Sequence, residues 1–319
     1  MSTEPRVTHL FDCADVGGTL VREARSRRLP WRYVPGLQDV PRREFYGDFY
    51  LWTARRISSV ARSDLVHLHY GGRTAWVRKF PHRPYVVHLH GSDIRTQYRD
   101  PRFHDEIQGG LDAARAVFFA TPDLAEAARA ARPDATYLPN PIEVAALPTW
   151  APAPRPTVLF PSRWDPVKGL ESQLAIAREL RRALGADVDL VGLDWGEGTG
   201  EAAAAGVRLV PRMERTEFVA WLASAHLAVA QSTGLLGMSE LQTLGIGVPT
   251  LMADPHPGYA APPVLDADPA VVGDVARAVL DDPAAVAAQL DPRAWVRRHH
   301  GPAQAVDRLR AVYRQVLAR

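Results

Sequence analysis

Two cationic side chains, Arg163 and Lys168, stand in one short polar segment that reads S-R-W-D-P-V-K-G. The apolar run 157–160 before this segment predicts a short buried strand, and the apolar spacing after Gly169 predicts a helix. In an open α/β sheet, ligands bind outside the carboxyl ends of the strands, where helix N-termini attract anions. The segment therefore predicts a binding site for a diphosphate. Two solvated cations on a surface loop are the alternative.

A second polar loop, H-L-H-G-S-D-I-R, overlaps the end of a predicted strand, 85–89, and contains His90 and Asp93. It is the most site-like stretch of the first half, because a histidine, a glycine and an aspartate gather at the carboxyl end of a strand. Metal binding is the rival interpretation, since histidines recur at positions 67, 69, 88 and 90, and strand alternation puts each pair on one face. No cysteine or glutamate cluster completes a ligand set, so we expect no metal site.

A glycine pair, Gly17–Gly18, closes the loop between a predicted strand, 7–11, and a predicted helix, 19–28. A strand, a glycine-containing loop and a helix in this order are typical of the start of a doubly wound fold, although an ordinary tight turn explains the glycines equally well. The next segment, 42–62, mixes aromatic and basic residues and predicts one amphipathic helix. Such a helix either packs on the core with solvated arginines or lies on an anionic membrane.

Strands and helices alternate through both halves of the 319-residue chain. This order predicts an α/β protein with two parallel-sheet domains and a cleft between them. The proline-rich segment 147–156 suits a semi-rigid linker and predicts a boundary between domains 1–150 and 151–319. We expect an amphipathic helix over 295–319 to end the chain.

Composition and charge exclude several classes of protein. The net charge of +2 argues against nucleic-acid binding, and the single cysteine, Cys13, excludes a disulfide framework and agrees with a reducing cytosol. No apolar run reaches the roughly 18 residues of a transmembrane helix, and the first residues lack the apolar core of a signal peptide. We expect a cytoplasmic protein with at most a peripheral contact at the inner face of the membrane.

Taken together, the motifs resemble those of GT-B glycosyltransferases, and most of all family 4, the retaining nucleotide-sugar enzymes. The family's G-R-x-x-x-x-K-G element is matched as S-R-W-D-P-V-K-G, its H-G-x-D element as His90–Asp93, and its N-G-V-D element as Asn140–Glu143. The closing A-V-Y-R-Q-V-L is similar to the family's last helix. The resemblance implies the GT-B fold, in which two Rossmann-like doubly wound domains face a cleft and the C-terminal helix crosses back.

The resemblance also implies an activity, which is transfer of a sugar from a nucleotide-diphosphate sugar, most commonly UDP-linked, to an acceptor hydroxyl with retention of configuration. Domain 1–150 would bind the acceptor and domain 151–319 the donor. Arg163, Lys168 and His90 would be catalytic, with no metal and no cofactor, and the nucleotide sugar would be the co-substrate. The donor-binding residues that the resemblance implies are Gly17, Gly18, Asp93, Asn140, Ser162, Leu235, Leu236, Gly237, Met238, Glu240 and Gln242.

One departure from the family concerns its two glutamates, which bind the donor sugar and the ribose. Gly234 and Gln242 occupy those positions here, and Glu240 stands near enough to be a substitute. A glutamine still offers a carbonyl to ribose hydroxyls, but without charge, and the backbone N–H groups of 235–238 are then the expected sugar and phosphate contacts. A non-catalytic nucleotide-sugar-binding partner protein and a sugar-nucleotide epimerase are therefore alternatives. A lipid, a glycan end and a small metabolite are all compatible as acceptors.

Overall fold

The structure is a computed structural model that describes residues 4–36 and 45–318. It divides into two compact units, of which the first contains Met1–Pro141 and His300–Arg319 and the second contains Ile142–His299. The assignment of acceptor and donor binding to domains 1–150 and 151–319 stays a prediction.

The first unit is built on a sheet of parallel strands in the order β2-β1-β3-β4-β5-β6. Its strands are β1 (Val7–Leu10), β2 (Trp31–Val34), β3 (Leu65–His69), β4 (Tyr85–Leu89), β5 (Val117–Phe119) and β6 (Thr136–Tyr137). Its helices are α1 (Val16–Ser26), α2 (Phe45–Ala61), α3 (Thr74–Val77), α4 (Ser92–Arg95), α5 (Pro101–Ala113), α6 (Ala125–Ala131) and, at the end of the chain, α14 (Pro302–Leu317).

The second unit repeats this plan with parallel strands in the order β12-β11-β10-β7-β8-β9. Its strands are β7 (Thr157–Phe160), β8 (Asp189–Leu193), β9 (Arg208–Val210), β10 (Leu227–Val229), β11 (Thr250–Met252) and β12 (Leu265–Asp266). Its helices are α7 (Leu170–Leu184), α8 (Thr199–Ala204), α9 (Arg215–Ala223), α10 (Met238–Ile246), α11 (Val272–Asp281), α12 (Pro283–Leu290) and α13 (Pro292–His299).

The strand order reverses once in each of these sheets, between β1 and β3 in the first unit and between β7 and β10 in the second. Such a switch point leaves a crevice at the carboxyl ends of the two central strands, where α/β proteins bind ligands. The strand β7 is fully buried, and Val158 and Phe160 pack in a core cluster with Leu174 of α7. The prediction of two doubly wound parallel sheets is therefore confirmed.

Two predicted helices differ from those in the structure. The closing helix is not continuous over 295–319, because Pro302 starts a new helix after Gly301 and separates α13 from α14. A proline lacks the N–H that a helix interior needs but fits the first turn. In the first unit, α1 begins at Val16 instead of Thr19, so Gly17 and Gly18 lie in its first turn and not in a loop.

The amphipathic segment forms α2, and its predicted residues 42–44 lie outside the described part of the chain. Trp52 is buried and donates its indole N–H to the Pro35 carbonyl at 2.7 Å, so the helix packs on the core. Arg56 was expected to be solvated, but it is only 4% exposed and donates to the carbonyl of Phe80 at 3.0 Å. Arg56 is buried because it lies on the inward side of α2. Its guanidinium offers several donors to the backbone oxygens there. Tyr50 and Leu51 are exposed.

Among the residues that the structure describes, none of the helices has both the length and the apolar character that a membrane span requires.

Candidate functional site

The loop that follows β7, here called the cation loop (residues 161–169), holds Arg163 beside an acid and an aromatic ring. The Arg163 Nε lies 3.4 Å from the Asp165 carboxylate, and its guanidinium carbon lies 5.6 Å from the ring centre of Trp195. Asp165 also accepts the backbone N–H of Val167 at 3.2 Å and so begins the short turn that leads to Lys168. The Arg163 side chain is one-third exposed, which leaves its guanidinium accessible to an anion.

The cation loop is tied to the loop that follows β10, here called the glycine loop (residues 231–237). The Ser232 N–H donates to the Lys168 carbonyl at 3.0 Å. Gly169 has φ of 77°, and a Cβ there would lie 2.6 Å from the Ser232 carbonyl oxygen. Only glycine fits so close an approach at a positive φ. Both loops therefore lie together at the switch point of the second sheet, and the half-buried Lys168 contacts the glycine loop through its backbone carbonyl.

A buried carboxylate, Glu240 of α10, strengthens the same junction. It is 1% exposed and accepts the Ser162 hydroxyl at 2.5 Å, the Ser239 hydroxyl at 3.0 Å and the Gln231 N–H at 3.3 Å. Ser162 and Glu240, both expected to touch the donor, are thus bonded to each other across the two loops. Gln242 is also buried, at 8% exposure. Ser162 and Glu240 therefore hold the loops in place and do not present a free polar edge to a ligand.

The glycine loop ends at Gly237, which precedes the first turn of α10. The first N–H groups of a helix have no partner within the helix and attract anions. However, the Leu236 N–H donates to the Tyr259 hydroxyl at 3.0 Å, so it is not available to a ligand as expected. Of the predicted donors from Leu235 to Met238, those at Gly237 and Met238 are the ones placed at the helix terminus.

The missing family glutamate at position 234 has a structural reason. Gly234 has φ of 70°, and a Cβ there would lie 2.3 Å from the Asp254 carbonyl oxygen. Its own carbonyl accepts the His256 N–H at 2.9 Å. A glutamate at this position would require the loop to move, because a side chain at a positive φ is strained and the backbone of Asp254 fills the space.

In the first unit, the loop that follows β1 is organised by Asp12. Its carboxylate accepts the N–H of Cys13 at 2.7 Å, the N–H of Gly17 at 3.0 Å and the Tyr33 hydroxyl at 2.6 Å. The Gly17 N–H is therefore taken by a side chain, although it was expected to help bind the donor. A Cβ at Gly17 would lie 3.1 Å from His69 Nε2, so this glycine permits helix α1 to approach the end of β3.

Asp93 likewise acts on its own loop. It is fully buried, and its two oxygens accept backbone N–H groups at 2.8–3.2 Å, which are those of Gly71, His90, Gly91 and Ile94. A carboxylate with this many N–H partners has no exposed oxygen left for a sugar. Asp93 therefore shapes the loop that carries His90, and any part it has in donor binding is indirect.

His90 is the partly exposed residue of this loop, and Asn140 stands beside it. Burial lowers the pKa of His90, while the charges of Asp93 and Asp12 and the side chain of Asn140 oppose that shift. Asn140 is 8% exposed, and its backbone carbonyl lies 2.9 Å from Nδ1 of the buried His300. His90, predicted to be catalytic, and Asn140, predicted to bind the donor, thus lie together within the first unit.

Sequence reasoning missed a histidine, His9 on β1, that lies among those at positions 67, 69, 88 and 90. In the register of the sheet, His9 pairs with His67 and His69 pairs with His88. His9 Nδ1 lies 3.1 Å from His69 Nε2, and His69 Nδ1 lies 3.1 Å from His90 Nε2. Burial lowers the pKa of His9 to about 3. The available signal was the occurrence of histidines on three predicted strands, 7–11, 65–69 and 85–89.

Two further residues that sequence reasoning missed, Trp195 and Arg212, lie near Arg163 in the second unit. The guanidinium carbon of Arg212 lies 4.4 Å from the ring centre of Trp195, which also contacts Arg163. Trp195 is 39% exposed and follows β8, while Arg212 follows β9. Their position in the sequence could have identified them as site residues, because each follows the carboxyl end of a strand. The ring holds two cations by cation–π attraction.

Comparisons with known proteins bear on the fold. No protein-family model matches the sequence, and no curated protein matches it. Anabaena HepE, solved with UDP and glucose, is similar with a TM-score of 0.65 at 11% identity, over 97% of this chain and 100% of HepE. The chain has the GT-B fold.

Two further proteins of similar structure are a TarM variant and a putative epimerase. A TarM variant from S. aureus, solved with UDP, has a TM-score of 0.60 at 11% identity over 79% of this chain, which spans 55% of the length of TarM. A putative UDP-N-acetylglucosamine 2-epimerase from Listeria monocytogenes has a TM-score of 0.61 at 15% identity over 98% of this chain and 96% of its own. At these identities the likeness establishes the GT-B fold alone.

Proposed function

We propose that this chain is a retaining glycosyltransferase of family 4 that moves a sugar from a UDP-linked donor to an acceptor hydroxyl. The observation that carries the proposal is the junction of the cation loop and the glycine loop at the switch point of the second sheet. This junction brings Arg163, Lys168 and the N-terminus of α10 to the carboxyl ends of β7 and β10. Two cations and a helix N-terminus form a binding site for a diphosphate.

The chemical demand of the reaction is the stabilisation of the departing diphosphate. Negative charge develops on it as the bond to the anomeric carbon breaks, and fixed positive groups lower the barrier because they need no reorganisation. Arg163 offers a planar guanidinium held by Asp165 and Trp195, and Lys168 offers a compact ammonium. In this proposal the two cations neutralise the diphosphate without a metal.

The acceptor hydroxyl must lose a proton during the transfer. For retention, we assign that proton to the departing phosphate oxygen, on the same face of the sugar as the attack. His90 would contact the donor sugar as a neutral imidazole, since burial lowers its pKa, and Asn140 beside it would fix the ring. A neutral imidazole donates one hydrogen bond and accepts another, which suits a sugar hydroxyl.

The test is donor binding and turnover in cation variants. Arg163→Ala and Lys168→Ala should weaken UDP binding by calorimetry, and each should cost about 2–4 kcal/mol of transition-state stabilisation, as single oxyanion donors do. Arg178→Ala is the matched control, because Arg178 is an exposed arginine of α7 in the same unit. Unchanged UDP affinity and turnover in both cation variants would refute the proposal.

The alternatives are a nucleotide-sugar epimerase and a non-catalytic nucleotide-sugar-binding protein. Both alternatives are supported by the backbone at Gly234, which leaves no room for the family's first glutamate. The epimerase is also supported because a putative epimerase is among the proteins of similar fold. Incubation with UDP-sugars, followed by NMR, separates the three. Conversion without an acceptor supports the epimerase, loss of donor only with a lipid, glycan or small-metabolite acceptor supports the transferase, and binding without conversion supports the third.

A further inference from the structure

Three histidines gather where β3 and β4 end in the first unit. One ring nitrogen from each of His69, His88 and His90 lies within 4.8 Å of the other two. His69 and His88 are fully buried, whereas His90 is partly exposed at the edge of the loop. The ring centres of His88 and His90 are 4.3 Å apart. The nitrogen that carries the proton in each ring determines where the lone pair of that ring points.

The tautomer of His88 is set by the backbone. Its Nε2 lies 3.0 Å from the Leu138 carbonyl oxygen, which can only accept, so Nε2 carries the hydrogen. The lone pair is therefore on Nδ1. That nitrogen is buried and has no hydrogen-bond partner within 4–36 and 45–318. A buried imidazole that donates one N–H to a backbone carbonyl and leaves its other nitrogen unpaired has the arrangement of a metal ligand.

The tautomer of His69 follows from a chain of hydrogen bonds behind it. The Tyr313 hydroxyl lies 2.5 Å from His67 Nδ1 and 3.5 Å from His9 Nε2, and its one proton can go to only one of these nitrogens. A metal-bound form requires that it donate to His67 Nδ1 and accept from His9 Nε2. His9 Nδ1 is thereby an acceptor, and His69 Nε2 donates to it across 3.1 Å. This assignment leaves the lone pair of His69 on Nδ1, directed at His90.

The third ring, His90, lies beside the side chain of Asn140. The Asn140 Oδ1 and the His90 Nδ1 are both buried, and neither has a partner that meets hydrogen-bond geometry in the described part of the chain. With its hydrogen on Nδ1, toward the Asn140 side chain that acts on it, His90 presents the lone pair of Nε2 to His69 Nδ1 at 3.1 Å. In this proton arrangement the two lone pairs face each other and a cation between them is required, whereas the reverse arrangement joins the two nitrogens by a hydrogen bond.

We propose that His69 Nδ1, His88 Nδ1 and His90 Nε2 form a three-histidine site for a divalent transition metal such as Zn²⁺. Zinc bound by nitrogen at about 2.0–2.1 Å in tetrahedral geometry separates its ligands by roughly 3.3–3.4 Å, close to the distance between His69 and His90. Three histidines with a further open position are a known zinc arrangement. Leu138 and His9 supply the outer hydrogen bonds that orient His88 and His69, and the Asn140 side chain lies beside His90.

The neighbouring triad of His9, His67 and His69 is the less suitable set, although its nitrogens also lie within 4.8 Å of one another. His67 Nδ1 is engaged by Tyr313, and the contact between His9 and His69 needs a proton in order to be a hydrogen bond. A metal there would break the chain that fixes the tautomers. The metal site is an alternative to the proposed sugar contact of His90, because zinc and Asn140 would take both of its ring nitrogens, and it leaves the proposed diphosphate site of the second unit unchanged.

The experiment is direct metal binding by the intact protein after treatment with a chelator. Equilibrium dialysis against Zn²⁺, with the metal content measured by mass spectrometry, should give one zinc per chain, and Co²⁺ should give the visible absorption bands of a nitrogen-bound site. His88→Gln and His90→Gln should lose the bound metal, and Asn140→Ala should weaken binding about 10–100-fold, as outer-shell losses do.

The controls separate this site from surface binding and from unfolding. His82→Gln changes an exposed histidine of the same unit and should keep one zinc per chain. His67→Gln tests the other triad and should also keep the metal. The fold of every variant is checked without metal by circular dichroism, and His90→Gln is the mildest because His90 is partly exposed. Absence of stoichiometric zinc in the parent protein, or its retention by folded His90→Gln, would overturn the proposal.

Discussion

Single residues at the loop junction decide what the second unit can bind. Glu240 is buried within the first turn of α10, and it is held by Ser162, Ser239 and the Gln231 N–H. A carboxylate near a helix N-terminus partly offsets the positive end of that helix. The attraction for a diphosphate must then depend more strongly on Arg163 and Lys168 than it would beside an uncompensated helix.

Gly234 gives a stability prediction at this scale. Gly234→Ala should destabilise the protein by about 1–3 kcal/mol, because alanine must adopt φ of 70° with its Cβ 2.3 Å from the Asp254 oxygen. Gly200→Ala is the matched control, since Gly200 lies in helix α8 and a Cβ there meets nothing within 4 Å. That control should stabilise by about 0.5–1 kcal/mol. Urea unfolding measures both, and an unchanged midpoint for Gly234→Ala would contradict the strain.

At the scale of elements, the Tyr313 hydroxyl is a polar link between α14 and the sheet of the first unit. Tyr313 is fully buried, and Tyr313→Phe removes the partner of His67 Nδ1 and the neighbour of His9 Nε2. Leaving buried polar atoms unsatisfied should cost about 1–3 kcal/mol in denaturant unfolding. Tyr50→Phe, at a ring that is 70% exposed, should change nothing. Equal stability of the two variants would show that the hydroxyl contributes little.

Helix α2 makes a prediction that separates its two adjacent arginines. Arg55 is exposed and Arg56 is 4% exposed. Arg56→Glu should cost at least about 2 kcal/mol, because a carboxylate among backbone carbonyls has no donors. Arg55→Glu should stay within about 0.5 kcal/mol of the parent protein. Thermal unfolding measures both, and similar effects would contradict the buried position of Arg56.

The same helix is the place to test the predicted peripheral contact with a membrane. Co-sedimentation with anionic vesicles should weaken in Arg55→Glu, because the exposed cation is reversed without loss of the fold. No binding by the parent protein would remove a lipid surface from the proposed partners.

At the scale of the whole molecule, Glu4 joins the start of the chain to its end through Arg310 and Arg314. The Arg310 Nε donates to Glu4 Oε2 at 2.9 Å, and this hydrogen bond holds the pKa of Glu4 below its usual value of 4.5. A lowered pKa means that the stabilisation is present above pH 4.5 and is lost as the pH falls through the folded value.

Glu4→Gln should therefore cost about 0.5–1 kcal/mol at pH 7, the upper range for such partly exposed pairs. The difference from the parent protein should shrink toward zero in acid below the lowered pKa. Urea unfolding across this pH range measures it, with Glu106→Gln at an exposed position of α5 as the control. If the difference in the free energy of unfolding between the two proteins increased as the pH fell, a lowered pKa of Glu4 would be contradicted.

Much of this architecture could be predicted from the sequence. A buried strand such as β7 is a short apolar run, and the cation loop that follows it contains the charged residues Arg163 and Lys168. The histidine cluster could not be predicted as readily. His9 meets His67 only because β1 pairs with β3, and the strand order is a property of the whole sheet. The buried Arg56 likewise required the register of α2 against its neighbours. Local patterns predict elements, whereas the contacts between distant elements decide which side chains are usable.

The break between α13 and α14 has a consequence for how the chain is made. The second unit, 142–299, is continuous, whereas the first is interrupted by it and is finished by 300–319. A ribosome synthesises the segment that carries Tyr313 only after the whole of the second unit, so until then the nascent first unit has the histidine face of its sheet uncovered. The second unit can fold as soon as it has emerged. Nascent chains stalled before His300 should thus be held by chaperones through the first unit.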